Sequence, residues 1–136
     1  MTSQKIEKLS QSELDVVIKK HTDFVTGRRG GIRATLKFKD LSGLSFRKAD
    51  MSGADFTGST LRGCDLSYGR FVNASFFACD LRDANLERGD FNRADFRGAY
   101  VAGANLVAAN LGNADLREGR IMQSNREGIM EQMDLG

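Results

Sequence analysis

Large apolar residues recur in this chain at every fifth position, beginning Leu36, Leu41, Phe46, Met51, Phe56 and ending Leu111, Leu116, Ile121. The register holds without a slip over 18 consecutive units. Two residues before each of these centres the side chain is nearly always small, as at Ala34, Ser59, Cys64, Gly69, Ala74 and Cys79. The residue directly before the centre is Asp or Asn in 11 of the 18 units. Two residues after it, Gly is frequent: Gly43, Gly53, Gly58, Gly63, Gly98 and Gly103.

A period of five fits neither regular element. On a helix, five steps drift by roughly 140°, so the centres would spiral around the surface. On a continuous strand, successive centres would fall on opposite faces. Each unit must therefore contain its own turn, with the small residue and the centre both pointing inward. The Asp or Asn before the centre is placed to hydrogen-bond the turn backbone, and Gly suits the tight part of the turn. The centre types set the number of units per coil. With four, Phe56, Phe76 and Phe96 fall in one column, and Leu41, Leu61 and Leu81 in the next. With three, Phe46, Leu61, Phe76, Phe91 and Leu106 would share a column, mixing aromatic and aliphatic residues. The pattern predicts a four-sided all-β solenoid of about 4.5 coils, a shaft roughly 20 Å long.

The pattern A-(D/N)-L-x-x, seen in "ADMSG", "ANLVA" and "ADLRE", resembles that of the pentapeptide repeat proteins. The resemblance covers about Ala34 to Ile121 and implies a right-handed quadrilateral β-helix. Lys39 and Leu44 stand at positions for small residues, which predicts an irregular first coil. Arg70, Tyr100 and Arg120 stand in place of Asp or Asn.

The flanks predict caps, because open β edges invite unwanted pairing. The chain divides into an N-terminal capping helix and turn over 1–33, the β-helix over 34–121 and a short C-terminal helix over 122–136. Ser10 and Glu13 form a capping box, with Leu9 and Leu14 placed as a hydrophobic staple. Leu14, Val17, Ile18, His21, Phe24 and Val25 line one helical face, expected to lid the first coil. Gly27 is the expected stop. The stretch "KHTDFVTGRRGGIRATL" resembles a preamble that often precedes pentapeptide arrays, through His21, Phe24, Gly27, Gly30, Gly31, Arg33 and Ala34. At the other end Ser124 and Glu127 offer a second capping box. Met122, Ile129, Met130 and Met133 make a short apolar face, expected to lid the last coil or to join two copies of the chain.

Composition narrows the function. The net charge is +2 with 28% charged residues, which marks neither a polyanion nor a polycation. There is no apolar run of membrane-spanning length and no apolar leader in "MTSQKIEKLSQSEL". A bacterial cytoplasmic protein is expected, with no membrane partner. His21 is the single histidine, so no His-based metal cluster is expected, and packing or capping is its role. Cys64 and Cys79 occupy inward small positions and read as inert core. The Asp column is too regular for catalysis, which needs carboxylates in unlike environments. "GRRGG" lacks the spacing of a phosphate loop. No enzyme and no cofactor is expected.

The reading that remains is a non-catalytic scaffold or protein-interaction module for an unidentified protein partner, working as a monomer or as a homodimer joined through its C-terminal helix. The candidate surface is the weakly charged side bearing Val72, Asn73, Asn92 and Arg93, with Tyr68 and Phe77 also projecting outward. A second reading is nucleic-acid contact through Arg28, Arg29 and Arg33 in the basic 27–33 segment, which has no interleaved aromatics to stack bases. A third comes from the resemblance: some pentapeptide repeat proteins mimic DNA and bind DNA gyrase or topoisomerase IV. That needs an outward negative face. The two positions after each centre carry nine basic and three acidic residues between Ala34 and Ile121, which counts against it.

Overall fold

The structure, a computed structural model, describes residues 6–118. A two-residue strand β1 (Glu7–Lys8) leads into helix α1 (Gln11–Val25), and the chain then enters the solenoid, whose first coil contains strand β2 (Lys39–Asp40). From Thr35 onward, the residue before each centre forms a parallel bridge with the residue 20 positions on, as in Thr35↔Asp55, Asp55↔Ser75 and Ser75↔Asp95. A repeat of 20 residues is four units of five, so the coil has four sides. Backbone bonds tie the coils together: Phe56 N–H donates to Ser75 O at 2.8 Å and Asp55 N–H to Ala34 O at 3.1 Å. The fold is a right-handed quadrilateral β-helix.

Each corner is a turn closed by the next small residue, whose N–H donates to the carbonyl of the preceding centre, as from Ala54 to Met51 at 3.0 Å. The second residue after the centre has positive φ at every unit from Phe38 (55°) to Asn113 (56°), whether Gly or not. Closure by such a bond with positive φ at the third turn residue is the type II pattern. Gly takes that conformation at no steric cost, and L residues do so at roughly 1–2 kcal/mol each.

The turn role expected of the Asp and Asn residues holds in all 11 described units. Each side-chain oxygen accepts from the N–H two residues on, from Asp40 with Ser42 to Asp115 with Arg117. Ser45, Thr60 and Ser75 do the same with hydroxyls.

Inside, the phenylalanine columns stack nearly parallel: Phe56, Phe76 and Phe96 at 5.0 Å between successive centroids, and Phe71 and Phe91 at 5.1 Å. The columns meet each other tilted or edge-on, as Phe46 and Phe56 do, an arrangement that aromatic quadrupoles favour. The small positions leave room for these rings. A Cβ on Gly69 would lie 2.6 Å from the Phe71 ring, and one on Gly89 2.5 Å from the Phe91 ring.

Two local expectations are corrected. The first coil is regular: Thr35, Asp40, Ser45 and Asp50 all bridge in register. Leu44 is accommodated inside, buried, while the Lys39 side chain turns out to reach Glu7 at 2.6 Å. On α1, Leu14 and His21 are buried and Val17 and Ile18 pack on the core, but Phe24 is 45% exposed. The loop after α1 closes on that flank of the helix, so Phe24 lies at the margin of the apolar face.

Candidate docking surface on the shaft

The outward side chains of a pentad are the residue before the centre and the two corner residues after it. Val72 and Asn73 form one corner, and Asn92 and Arg93 stack on them one coil later, tied by Asn73 N–H to Asn92 O at 3.0 Å. Tyr68 stands one face-width away on one side of this corner and Phe77 one face-width away on the other. The six candidates thus spread over three successive corners of the shaft, centred on the Val72 corner, rather than lie on one flat side. Asn73, Arg93 and Tyr68 are exposed, and Val72, Phe77 and Asn92 half-buried. Both aromatics carry a guanidinium: Arg47 lies 4.8 Å from the Tyr68 centroid and Arg97 5.1 Å from that of Phe77.

The face between Tyr68 and Val72 carries charge that counting only corner residues misses. Arg70 takes the place of an Asp or Asn and lies between two of them, 3.9 Å from Asp50 and 3.5 Å from Asp90. The signal was in the sequence, since Arg70 breaks the column 20 residues from each of those Asp residues.

Elsewhere several of the shaft's carboxylates are drawn into ion pairs. Arg82 holds Asp80, Arg97 holds Asp95 and Arg117 holds Asp115, each through two side-chain bonds between 2.6 and 2.9 Å. Lys37 stands 4.0 Å from Asp55, Lys8 3.9 Å from Asp40 and Arg62 4.0 Å from Asp83. The Arg117 guanidinium and its backbone N–H hold the Asp115 carboxyl down at about 2. Such ladders present alternating charge, not an anionic face.

The histidine, the two cysteines and the basic segment have contacts of their own. His21 is fully buried; its Nδ1 accepts from Ala34 N–H at 2.9 Å, so the ring carries its proton on Nε2, which donates to Ser52 O at 2.8 Å. It latches α1 to the first coil. Cys64 and Cys79 donate to Leu41 O and Phe56 O, each at 2.9 Å, and burial pushes both thiols up to about 12. At that value neither forms the thiolate that reactivity requires. Of the basic trio, Arg33 donates through Nε to Gly53 O at 2.7 Å, Arg28 lies 3.8 Å from Asp23, and Arg29 is exposed. Among the described residues no cluster of His, Cys, Asp and Glu could hold a metal ion. The C-terminal candidates Met122, Ile129, Met130 and Met133 lie outside the described residues.

Pentapeptide repeats, in eight copies, match this chain over residues 32–67, 40–77 and 79–117. The chain belongs to the pentapeptide repeat family. Proteins of this family are generally non-catalytic structural or interaction proteins. No curated protein matches the chain. Among solved structures, alr5209, a pentapeptide repeat protein from Nostoc PCC 7120, is similar at 23% identity and TM-score 0.51, over 84% of this chain and 80% of its own. HetL, a pentapeptide repeat protein involved in heterocyst differentiation regulation in the cyanobacterium Nostoc sp. strain PCC 7120, is similar at 24% identity and TM-score 0.47, over 73% of this chain. The chain spans half the length of HetL. A plasmid-mediated fluoroquinolone resistance protein, QnrB1, is similar at 16% identity and TM-score 0.25, over 60% of this chain and 62% of its own.

Proposed function

We propose that this pentapeptide repeat protein is a non-catalytic interaction module of a bacterial cytoplasm. It presents one edge of a stiff shaft, of about 4.5 coils, to a protein partner. The observation that carries the reading is the corner formed by Val72, Asn73, Asn92 and Arg93. Here the turn side chains are exposed or half-buried and, among the described residues, take part in none of the ion pairs of the shaft, while the neighbouring Tyr68 and Phe77 are held in place by arginines. Aromatic and arginine side chains are enriched where protein interfaces concentrate their binding energy. The paired carboxylates support a protein partner of mixed charge over mimicry of DNA.

The test is affinity capture from lysate with the wild-type chain and with Val72→Glu, with and without nuclease. A specific protein retained by the wild type and lost with Val72→Glu, at unchanged thermal stability, supports the module. Equal capture by both chains removes the corner from consideration, and capture that vanishes with nuclease transfers the role to Arg28 and Arg29. Light scattering of the full chain distinguishes a monomer from a dimer joined through Met122, Ile129, Met130 and Met133.

A further inference from the structure

The N-terminal end of the molecule carries a second surface that the shaft does not use. Helix α1 lies on the first coil through Leu14, Ile18 and His21, so the opposite flank bearing Val16 and Lys20 faces away from the shaft. The loop after the helix is pressed onto it. Gly31 sits so close that a Cβ there would be 2.3 Å from Phe24 N, and Ile32 N–H donates to Lys20 O at 3.0 Å. That places Ile32 beside Lys20 and Phe24. Val16 is 55% exposed, Phe24 45% and Ile32 57%. Burying large apolar side chains is what a cap exists to do, yet these three are turned out at the tip.

The same stretch is basic. Residues 19–33 contain Lys19, Lys20, Arg28, Arg29 and Arg33 against a single acid, Asp23, although the whole protein carries only +2. Asp23 is engaged by Lys19 at 2.8 Å and approached by Arg28 at 3.8 Å. Among the described residues Lys20 and Arg29 have no carboxylate partner. The tip therefore combines exposed apolar side chains with uncompensated positive charge.

We propose that this tip docks on an anionic lipid surface. The three apolar side chains are spread over a helix flank and the adjoining loop, where another protein would need a matching surface to bury them. A bilayer surface needs no shape match. Apolar side chains entering the headgroup region and cations meeting anionic headgroups are the two signals whose combination makes peripheral binding stable. Contact is peripheral, since no described helix is long and apolar enough to cross a membrane.

The full chain is mixed with vesicles of phosphatidylcholine alone or of phosphatidylcholine with phosphatidylglycerol, and bound protein is separated by flotation. Binding is expected on the anionic vesicles only and is released by high salt. Lys20→Gln with Arg29→Gln weakens it roughly thirtyfold, and Ile32→Ser roughly tenfold. All three positions are exposed, so the variants retain the fold. The matched pair Lys48→Gln with Arg88→Gln, equal in charge but on the shaft, leaves binding unchanged. Absence of binding to anionic vesicles overturns the proposal. So does an equal loss with the shaft pair, and so does binding to a single-stranded oligonucleotide but not to vesicles.

Discussion

The first and the last described coils of the shaft share one five-residue register and differ in burial. In the first coil Leu36, Leu41, Phe46 and Met51 are all buried. In the last described coil Leu106 is 39% exposed and Val101, Leu111 and Leu116 are half-buried. The local pattern does not predict the difference, since the first coil departs from it at Lys39 and Leu44 and is the better buried of the two. The first coil is closed by partners outside the repeat. At the N-terminal end every side of the coil meets a specific partner. β1 pairs in parallel with β2, Glu7 opposite Lys39. The Gln11 amide imitates a strand, donating to Ser45 O at 3.0 Å and accepting from Ser45 N–H at 2.8 Å. His21 joins Ala34 to Ser52, and Arg33 holds Gly53 O. A solenoid centre is buried by the coil or cap above and below it, so burial here belongs to the stack rather than to the pentad.

The sharpest break in the comparison comes from truncating equivalent centres. Phe76→Ala, in mid-column between Phe56 and Phe96, is expected to lower unfolding free energy by about 3–5 kcal/mol. Leu106→Ala, in the last described coil, should cost about 1 kcal/mol, since part of its surface is already in water. Denaturant unfolding measures both, and equal losses would show that position in the stack does not govern burial.

His21→Ala attacks the sealed end. It strands the buried Ala34 N–H and removes the bond to Ser52 O, with an expected cost of about 2–3 kcal/mol. Hydrogen exchange should speed up around Ala34 to Met51 while Phe91 and Phe96 keep their protection. Uniform acceleration along the shaft would mean the cap and the coils unfold as one unit.

Acid should weaken both ends and the shaft together. The side-chain and backbone donors of Arg117 hold Asp115 at about 2. The backbone N–H of Ser42 lowers Asp40, and Asp80 is lowered because its bonds from Arg82 outweigh burial, which alone would raise it. A carboxylate whose folded pKa is depressed stabilises fully above its unfolded value of about 3.9, and that contribution fades as pH falls through the folded value. The melting temperature should thus hold near neutrality and drop between about pH 4 and pH 2, with a shallower drop in Asp115→Asn. An unchanged slope in that variant would show that the Arg117 pair contributes nothing to the end it occupies.

The smallest effect is a gain. Arg88 has φ of 54°, and Arg88→Gly should relieve roughly 1 kcal/mol of strain, offset in part by the greater freedom of Gly in the unfolded chain. A small rise in melting temperature is expected in mid-shaft.

The pentad register, the inward centres and the turn role of the Asp and Asn column were legible because each depends on residues within one unit. The capping box of α1 was legible for the same reason, and Ser10 and Glu13 make both of its bonds. Three features needed the fold. Gly at six corners announced tight turns, but the ten non-Gly residues at the same positions adopt the same positive φ, forced by closure of the coil rather than by their own preference. The charge on the candidate face appeared only when Arg70 was placed between Asp50 and Asp90, neighbours 20 residues away on either side. Phe24 sits on the apolar side of a helical wheel, yet packing of the loop through Gly31 decided which side of α1 the core would claim.

The sequence by itself determined that the chain turns every five residues and which side chains go inward, because chain stereochemistry and side-chain size act over a few bonds. Only the tertiary structure decided which charges neutralise one another, how the N-terminal coil is closed, and which of the described apolar side chains stay in water. Those outcomes depend on partners one coil away, and no local pattern records what a neighbouring coil or cap will cover.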